Sequence, residues 1–472
     1  AHLGAEVVVI DSDGIGGSAV LTDCVPSKTL IATAELMTEI QGARQLGLRL
    51  PGFSGLVEDL TVDLAAVNER VKRLAGEQSG DIAHRLAGEG VQVVRGRGRL
   101  AGNDRVIAEL ADGTTTTYDA DAILVATGAA PRTLPSAVPD GERILTWEQV
   151  YDLDELPEKL VVVGSGVTGA EFASAYLALG VDVTLVSSRD RVLPGEDADA
   201  SAVLEEVSIR KGMNVLGESR MESVTRTGDE VTVTLTDGRT VSASHCILAL
   251  GSVPNTSDLG LAEAGVVLDE GGFITVDRVS RTSARGVYAA GDCTGVFMLA
   301  SVAAMQGRIA MAHFLGDAVQ PLDLGIVSSN VFTAPEIATV GVTQKQVDSR
   351  EVLAEVVLQP LATNPRAKMQ GVTDGFVKLF VAPGSGSVLG GVVVGPRASE
   401  LIHPVAVAVT ERITAESGSR ITWSLSMSPP LTRSLSIWSR SRTSRTERAR
   451  LINAICFSAP LVATIALPWG SR

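Results

Sequence analysis

Cysteine and histidine are scarce in this chain of 472 residues. The four cysteines, Cys24, Cys246, Cys293 and Cys456, lie far apart and give no metal-ligand spacing, and the five histidines form no His-x-x-His cluster. That distribution excludes a structural metal centre and a disulfide-stapled secreted scaffold. It fits a reducing, cytoplasmic setting in which a cysteine stays a thiol or does chemistry. The opening residues carry no secretion-signal pattern. No apolar run reaches the roughly 18–20 residues of a membrane span, and the run from Ala459 to Leu467 is too short, so stable membrane insertion is not expected. Positive charge is in deficit as well: 40 Lys and Arg stand against 55 Asp and Glu, a net charge of −15. Non-specific nucleic-acid binding is argued against on that ground, and a soluble acidic protein is favoured.

Ordered glycine is what the chain does have. Leu160 to Val163 read as a buried parallel strand, and Gly164-Ser165-Gly166-Val167-Thr168-Gly169 follows at once as Gly-x-Gly-x-x-Gly. A helix is predicted over Ala170–Leu179 and a second strand over Val183–Val186. In such a unit Gly164 permits the tight turn, Gly166 lets a pyrophosphate approach the backbone, and Gly169 lets helix and strand pack closely. The phosphates then meet the free N–H groups and dipole of the helix N-terminus. This context favours a dinucleotide site over a plain glycine-rich turn. After Val186 comes Ser187-Ser188-Arg189-Asp190-Arg191. No acid stands first, so a 2′-phosphate would not be repelled, and Arg189 or Arg191 could bind it; the alternative is a pair of solvated loop charges. NADPH is permitted and NADH is not excluded.

Three further stretches resemble pieces of a second such unit. Val7 to Ile10 read as a strand ending in the acid Asp11, which in a Rossmann unit hydrogen-bonds a ribose; the alternative is a solvated strand end. The first strand and glycine loop are expected about 20–30 residues before it, so the N-terminal βα unit is expected to be missing. Ala122 to Ala126 form an apolar strand running into Thr127-Gly128, whose small residues leave room for a ligand. Val287-Tyr288-Ala289-Ala290-Gly291-Asp292 is a short strand ending in Gly-Asp before an apolar helix predicted over Ala300–Leu315.

Gly16-Gly17, then Cys24-Val25-Pro26-Ser27-Lys28, resemble the redox segment of the flavoprotein (pyridine nucleotide) disulfide reductases, which include lipoamide dehydrogenase and glutathione reductase. The usual segment has two cysteines; this chain keeps the second, Cys24, and has Ala19 in place of the first. A dithiol relay needs one thiol to attack and another to resolve. That chemistry is therefore removed, and lipoamide or glutathione disulfide with it as a substrate. By the resemblance Gly16 and Gly17 belong to the FAD site, with Asp11, Thr127, Gly128 and Asp292, the last on the ribityl chain. Lys28, one helical turn from Cys24, lies near the reactive flavin nitrogen and pairs with Glu171 of the second Rossmann helix. Cys24 lies against the flavin ring, or else is a buried, inert thiol. The single-cysteine pattern is similar to that of lipoamide dehydrogenase-like NAD(P)H:quinone reductases.

The expected fold class is α/β: two Rossmann-like dinucleotide-binding domains, for FAD and NAD(P), and a C-terminal α+β dimerisation domain. Residues 1–150 and 274–322 would form the FAD domain, 151–273 the NAD(P) domain and 323–412 the interface domain. The rest of the middle reads plainly: amphipathic helices over Val62–Gly76 and Asp81–Ala87, a strand over Val91–Val94, and a Pro- and acid-rich connection from Pro131 to Pro157. Beyond Ile413 the chain turns Ser- and Arg-rich, and most of it lacks helix or strand periodicity; a shifted reading frame and a natural low-complexity tail are the alternatives for 413–472. The family's His-Pro-Thr segment and glutamate are not found there, and His403 lies too early to replace that base. The function expected is hydride transfer from NADPH or NADH to FAD and electron delivery to a quinone in a homodimer. The alternatives are a single-cysteine peroxide or CoA-disulfide-type reductase, a dihydrolipoamide dehydrogenase-like protein, and a non-catalytic remnant.

Overall fold

The computed structural model describes residues 1, 4–43, 45–48, 60–415 and 461–466. The strand Lys159–Val163 buries four successive apolar side chains, Leu160 to Val163. Both faces of this strand are therefore covered, as the unbroken apolar run requires. It is the centre of a five-stranded, all-parallel sheet in the order 214–216, 182–186, 159–163, 245–248, 144–146. The helix Val167–Ala178 follows the glycine turn directly and begins earlier than the periodicity alone suggested, with Gly166 at its N-cap. The short strand Ile144–Thr146 lies inside the stretch expected to be a plain connection, where it pairs with Cys246–Leu248. Three residues are too few to show a period.

A second, seven-stranded sheet carries Glu6–Asp11, parallel to Gln92–Leu100, and Ala122–Ala126, parallel to Val287–Ala289. The strand Leu461–Ala466 lies between Glu6–Asp11 and Ala122–Ala126, antiparallel to both. Its run of Leu, Val, Ala, Thr and Ile suits a strand with neighbours on both sides, although most of the tail is aperiodic. Residues 416–460 and 467–472 of the Ser/Arg-rich tail lie outside the described residues. The two helices expected between 62 and 87 are one, Leu64–Gly88, capped by the Asp63 carboxylate on the Ala66 N–H. Gly76 and Gly80 have open space where a Cβ would stand. They weaken the helix without breaking it, because the stripe Leu64, Val71 and Ala75 stays buried.

Two short antiparallel strands, Ala129–Pro131 and Ser252–Pro254, join the two dinucleotide-type units. A third, antiparallel sheet follows in the order 328–331, 336–341, 388–395, 376–381, 355–360, with the helix Ala398–Thr410 packed on it. One buried cluster runs through all three units: Leu30 and Ile31 of the helix Cys24–Ala43, Phe172 and Tyr176 beside the glycine turn, and Val331, Ile337 and Phe376 of the third sheet. Among the described residues no helix is long and apolar enough to cross a membrane.

Candidate functional site

The glycine turn is built as its sequence requires. A Cβ on Gly164 would collide with the Ala249 carbonyl, and one on Gly169 with the Gly164 carbonyl, so both positions need glycine. Gly164 also has φ +114°, a region side chains disfavour. At Gly166 the space is open, and no side chain caps the helix that starts there. Its first N–H groups are left for an anion, so the turn fits a pyrophosphate. Beyond the second strand, Ser187 is fully buried and its hydroxyl is turned inward, 2.7 Å from that of Ser165 and accepting the Arg189 N–H at 3.1 Å. Arg189 is exposed. Arg191 is half-buried: its Nη2 donates to the Pro194 carbonyl at 3.3 Å, while its Nε is buried with no hydrogen-bond partner. Asp190, Glu205 and Glu206 share its cleft, of about 570 Å³.

Lys28 and Glu171, 143 residues apart, meet: Nζ donates to Oε2 at 2.7 Å. Each is set by a helix, Lys28 by Cys24–Ala43 and Glu171 by Val167–Ala178. Glu171 is only 5% exposed, and its other oxygen accepts the Phe332 N–H at 2.9 Å. Burial works against the Lys28 ammonium. Glu171, by charge and hydrogen bond, and then Asp23 and Cys24 more than offset this and hold its pKa above the ordinary lysine value. Lys28 is therefore a cation at neutral pH. Asp23, the residue before Cys24, is pushed above the usual carboxylate range by burial, with Lys28 opposing and Glu171 reinforcing the shift. Cys24 opens its helix and is half-buried; Ala19 is buried in the preceding helix Gly17–Leu21, which brings no second sulfur. Cys246 and Cys293 are fully buried core residues; burial raises both thiols, Cys293 up to about 11.

The remaining expected residues line the first unit. Asp11 is buried, so it is no solvated strand end; it accepts the Gly14 N–H at 3.0 Å and Arg95 Nη1 at 2.8 Å. Gly16 and Gly17 both have positive φ and start the short helix Gly17–Leu21. The Thr127 hydroxyl donates to the Asn255 carbonyl at 2.6 Å, and Asn255 Nδ2 returns a bond to the Thr127 carbonyl at 3.0 Å, which ties the two units together beside Gly128. Asp292 follows Gly291, whose N–H is held by Gln306 Oε1 at 2.8 Å. Burial, with Asp23 adding to it, pushes the Asp292 carboxyl up to about 6. A desolvated acid at a strand end wants a hydroxyl or amide donor, which a polyol chain supplies.

Phe332, Asp23 and Tyr151 were not singled out from the sequence. Phe332 acts partly through its backbone N–H, which every residue but proline has. Tyr151 was part of the supposed connection; its hydroxyl is buried and has no hydrogen-bond partner. His403 lies on the helix Ala398–Thr410, and the segment after 415 in which a partner-directed base is sought lies, Leu461–Ala466 apart, outside the described residues.

Comparison with known proteins gives the same outline. The family model described as pyridine nucleotide-disulphide oxidoreductase matches residues 1–307, and the dimerisation domain of that family matches residues 327–435. A Mycobacterium tuberculosis protein named NAD(P)H dehydrogenase (quinone) is 57% identical over 415 residues, 87% of this chain and 83% of the relative. A dihydrolipoyl dehydrogenase of Zymomonas mobilis is 33% identical over 421 residues, 88% of each chain. The crystal structure of LpdA from M. tuberculosis superposes with a TM-score of 0.82 at 56% identity, covering 87% of this chain and 89% of that one. The flavoprotein disulfide reductase RclA of Escherichia coli, at 23% identity, shares the fold with a TM-score of 0.74 over 86% of this chain and 88% of that one.

Proposed function

The chain belongs to the pyridine nucleotide-disulphide oxidoreductase family, and on that premise we propose that it is an FAD-dependent NAD(P)H:quinone oxidoreductase working as a cytoplasmic homodimer. The observation that carries the reading is the pairing of Lys28 with Glu171 beside a redox turn that holds Cys24 but has Ala19 in place of a partner thiol. The charge arrangement of a flavin site is kept while the means of disulfide exchange is not. The 57% identical relative, named NAD(P)H dehydrogenase (quinone), supports the same acceptor class.

In this reading residues 1–150 and 274–322 bind FAD, 151–273 bind the nicotinamide cofactor, and 323–412 form the dimer interface. Gly164, Gly166 and Gly169 seat the nicotinamide pyrophosphate at the helix N-terminus. Arg189 and Arg191 meet the 2′-phosphate of NADPH, with NADH also accepted. Asp11 holds a ribose of FAD, Gly16, Gly17, Thr127 and Gly128 allow its close approach, and Asp292 accepts from the ribityl hydroxyls. Bound FAD supplies a two-electron carrier between nicotinamide and quinone. Lys28 keeps a positive charge fixed at the ring, held by Glu171, and Cys24 packs beside it without turning over.

The test is the visible spectrum of the purified chain. Flavin absorbance near about 450 nm is expected to bleach with NADPH and return with a quinone, and Cys24→Ser is expected to keep most of that activity. Loss of turnover in Cys24→Ser with flavin retained would favour a sulfur-based peroxide or CoA-disulfide reductase. A colourless chain would sink the flavin reading.

A further inference from the structure

The Lys28–Glu171 pair joins the two dinucleotide-type units, yet the third unit closes on it as well. Phe332 donates its N–H to Glu171 Oε1 at 2.9 Å, and Ala334 donates its N–H to Ser174 Oγ at 3.0 Å. Glu171 and Ser174 are three apart on one helix, so both acceptors lie on the same face. The Phe332 ring lies 4.9 Å from Lys28 Nζ.

We propose that Phe332 is a positioning residue: its N–H and its ring set the Glu171 carboxylate and the Lys28 ammonium, so the interface domain also orients the charge at the redox site. This rests on the flavin reading above. A lysine ammonium is a point charge on a flexible four-carbon stem, and one hydrogen bond leaves it free to swing. The face of an aromatic ring attracts the ammonium and gives it a second fixed contact. The carboxylate is fixed in the same way, one oxygen on each partner. Lys28 still has about a third of its side chain exposed, so without the ring it has somewhere to go. The other charged or titratable groups acting on it are Asp23 and Cys24 of the redox turn.

The experiment is competitive trace acetylation of the full chain between about pH 8 and 11, read by mass spectrometry at Lys28 relative to Lys159, which is 57% exposed. Phe332→Leu keeps the N–H and removes the ring. It is expected to raise Lys28 reactivity about threefold, the loss of one exposed-site cation–π contact, while Phe332→Tyr retains the protection. Where Phe332→Leu melts early, Phe332→Met serves in its place. Unchanged Lys28 reactivity in a folded ring-less variant overturns the proposal. The assay needs neither flavin nor quinone, so a colourless preparation defeats the functional reading and leaves this result standing. In flavin-loaded protein, Phe332→Leu is expected to shift the flavin midpoint potential, and the shift should vanish in a Lys28→Met background. A shift that persists there overturns action through Lys28.

Discussion

Lys378→Met tests how the interface domain is held to the nicotinamide-type unit. Lys378 is 1% exposed in the strand Phe376–Val381. Its ammonium meets both oxygens of Asp197, at 2.9 and 2.8 Å, and one of Asp199, at 2.6 Å. Asp197 in turn caps the helix Ala198–Arg210, its Oδ1 accepting the N–H groups of Asp199 and Ala200. Methionine fills the volume but leaves the buried Asp197 Oδ2 with no donor. Removing one partner of a buried pair costs about 3–5 kcal/mol. The surviving cap bonds and the exposed Asp199 place this case near the low end, about 3 kcal/mol. A large domain loses roughly 2–4 °C per kcal/mol, so a fall of about 6–12 °C in Tm is expected by scanning calorimetry. Asp197→Asn/Lys378→Met should recover part of the loss, since asparagine keeps the cap and no charge is stranded. A single mutant melting within about 2 °C of wild type, or a double mutant equal to the sum of the singles, refutes the reasoning.

Two other substitutions follow from the site. Gly169→Ala forces a Cβ onto the Gly164 carbonyl; on the proposed function a KM for NADPH raised about tenfold or more is expected, with the flavin absorbance retained, since overpacking of about 1–3 kcal/mol falls on the glycine turn. For Asp292 the sign comes from its raised carboxyl, about 6 in the folded chain against 3.8 unfolded. A raised acid stabilises the fold only while protonated, so flavin-free protein loses this contribution as pH climbs from about 4 through about 6. Asp292→Asn should therefore melt above wild type at pH 8, the gap closing near pH 4, while FAD is bound more weakly; a Tm difference independent of pH counts against the desolvated acid.

What could be read from the chain was whatever is local. The turn at Gly164–Gly169 declares itself because three glycine requirements, an apolar strand and a helix fall within about twenty residues, and the strand before Thr127 and the Gly291-Asp292 turn are local signals of the same kind. The meeting of Lys28 with Glu171 came from resemblance: 143 residues lie between them, and no period or spacing links a lysine on one helix to a glutamate on another. Ile144–Thr146 escaped for the opposite reason, being too short to carry a pattern in a stretch whose prolines suggested a linker. Helix Leu64–Gly88 runs through the gap between the two expected helices, because the low propensity of Gly76 and Gly80 is outweighed by the buried stripe of Leu64, Val71 and Ala75. Phe332 and Lys378 mark the harder limit. Each acts across a boundary between units, Phe332 partly through a backbone group and Lys378 through a charge that reads as a surface residue until the fold buries it. Both belong to the domain whose family description is dimerisation. The loop between its first two strands also grips the glycine-turn helix at Glu171 and Ser174, and its strand Phe376–Val381 grips the following helix at Asp197. A change that loosens the third sheet should therefore disturb the Lys28–Glu171 pair whatever the assembly, because the Glu171 and Lys378 contacts lie within one chain.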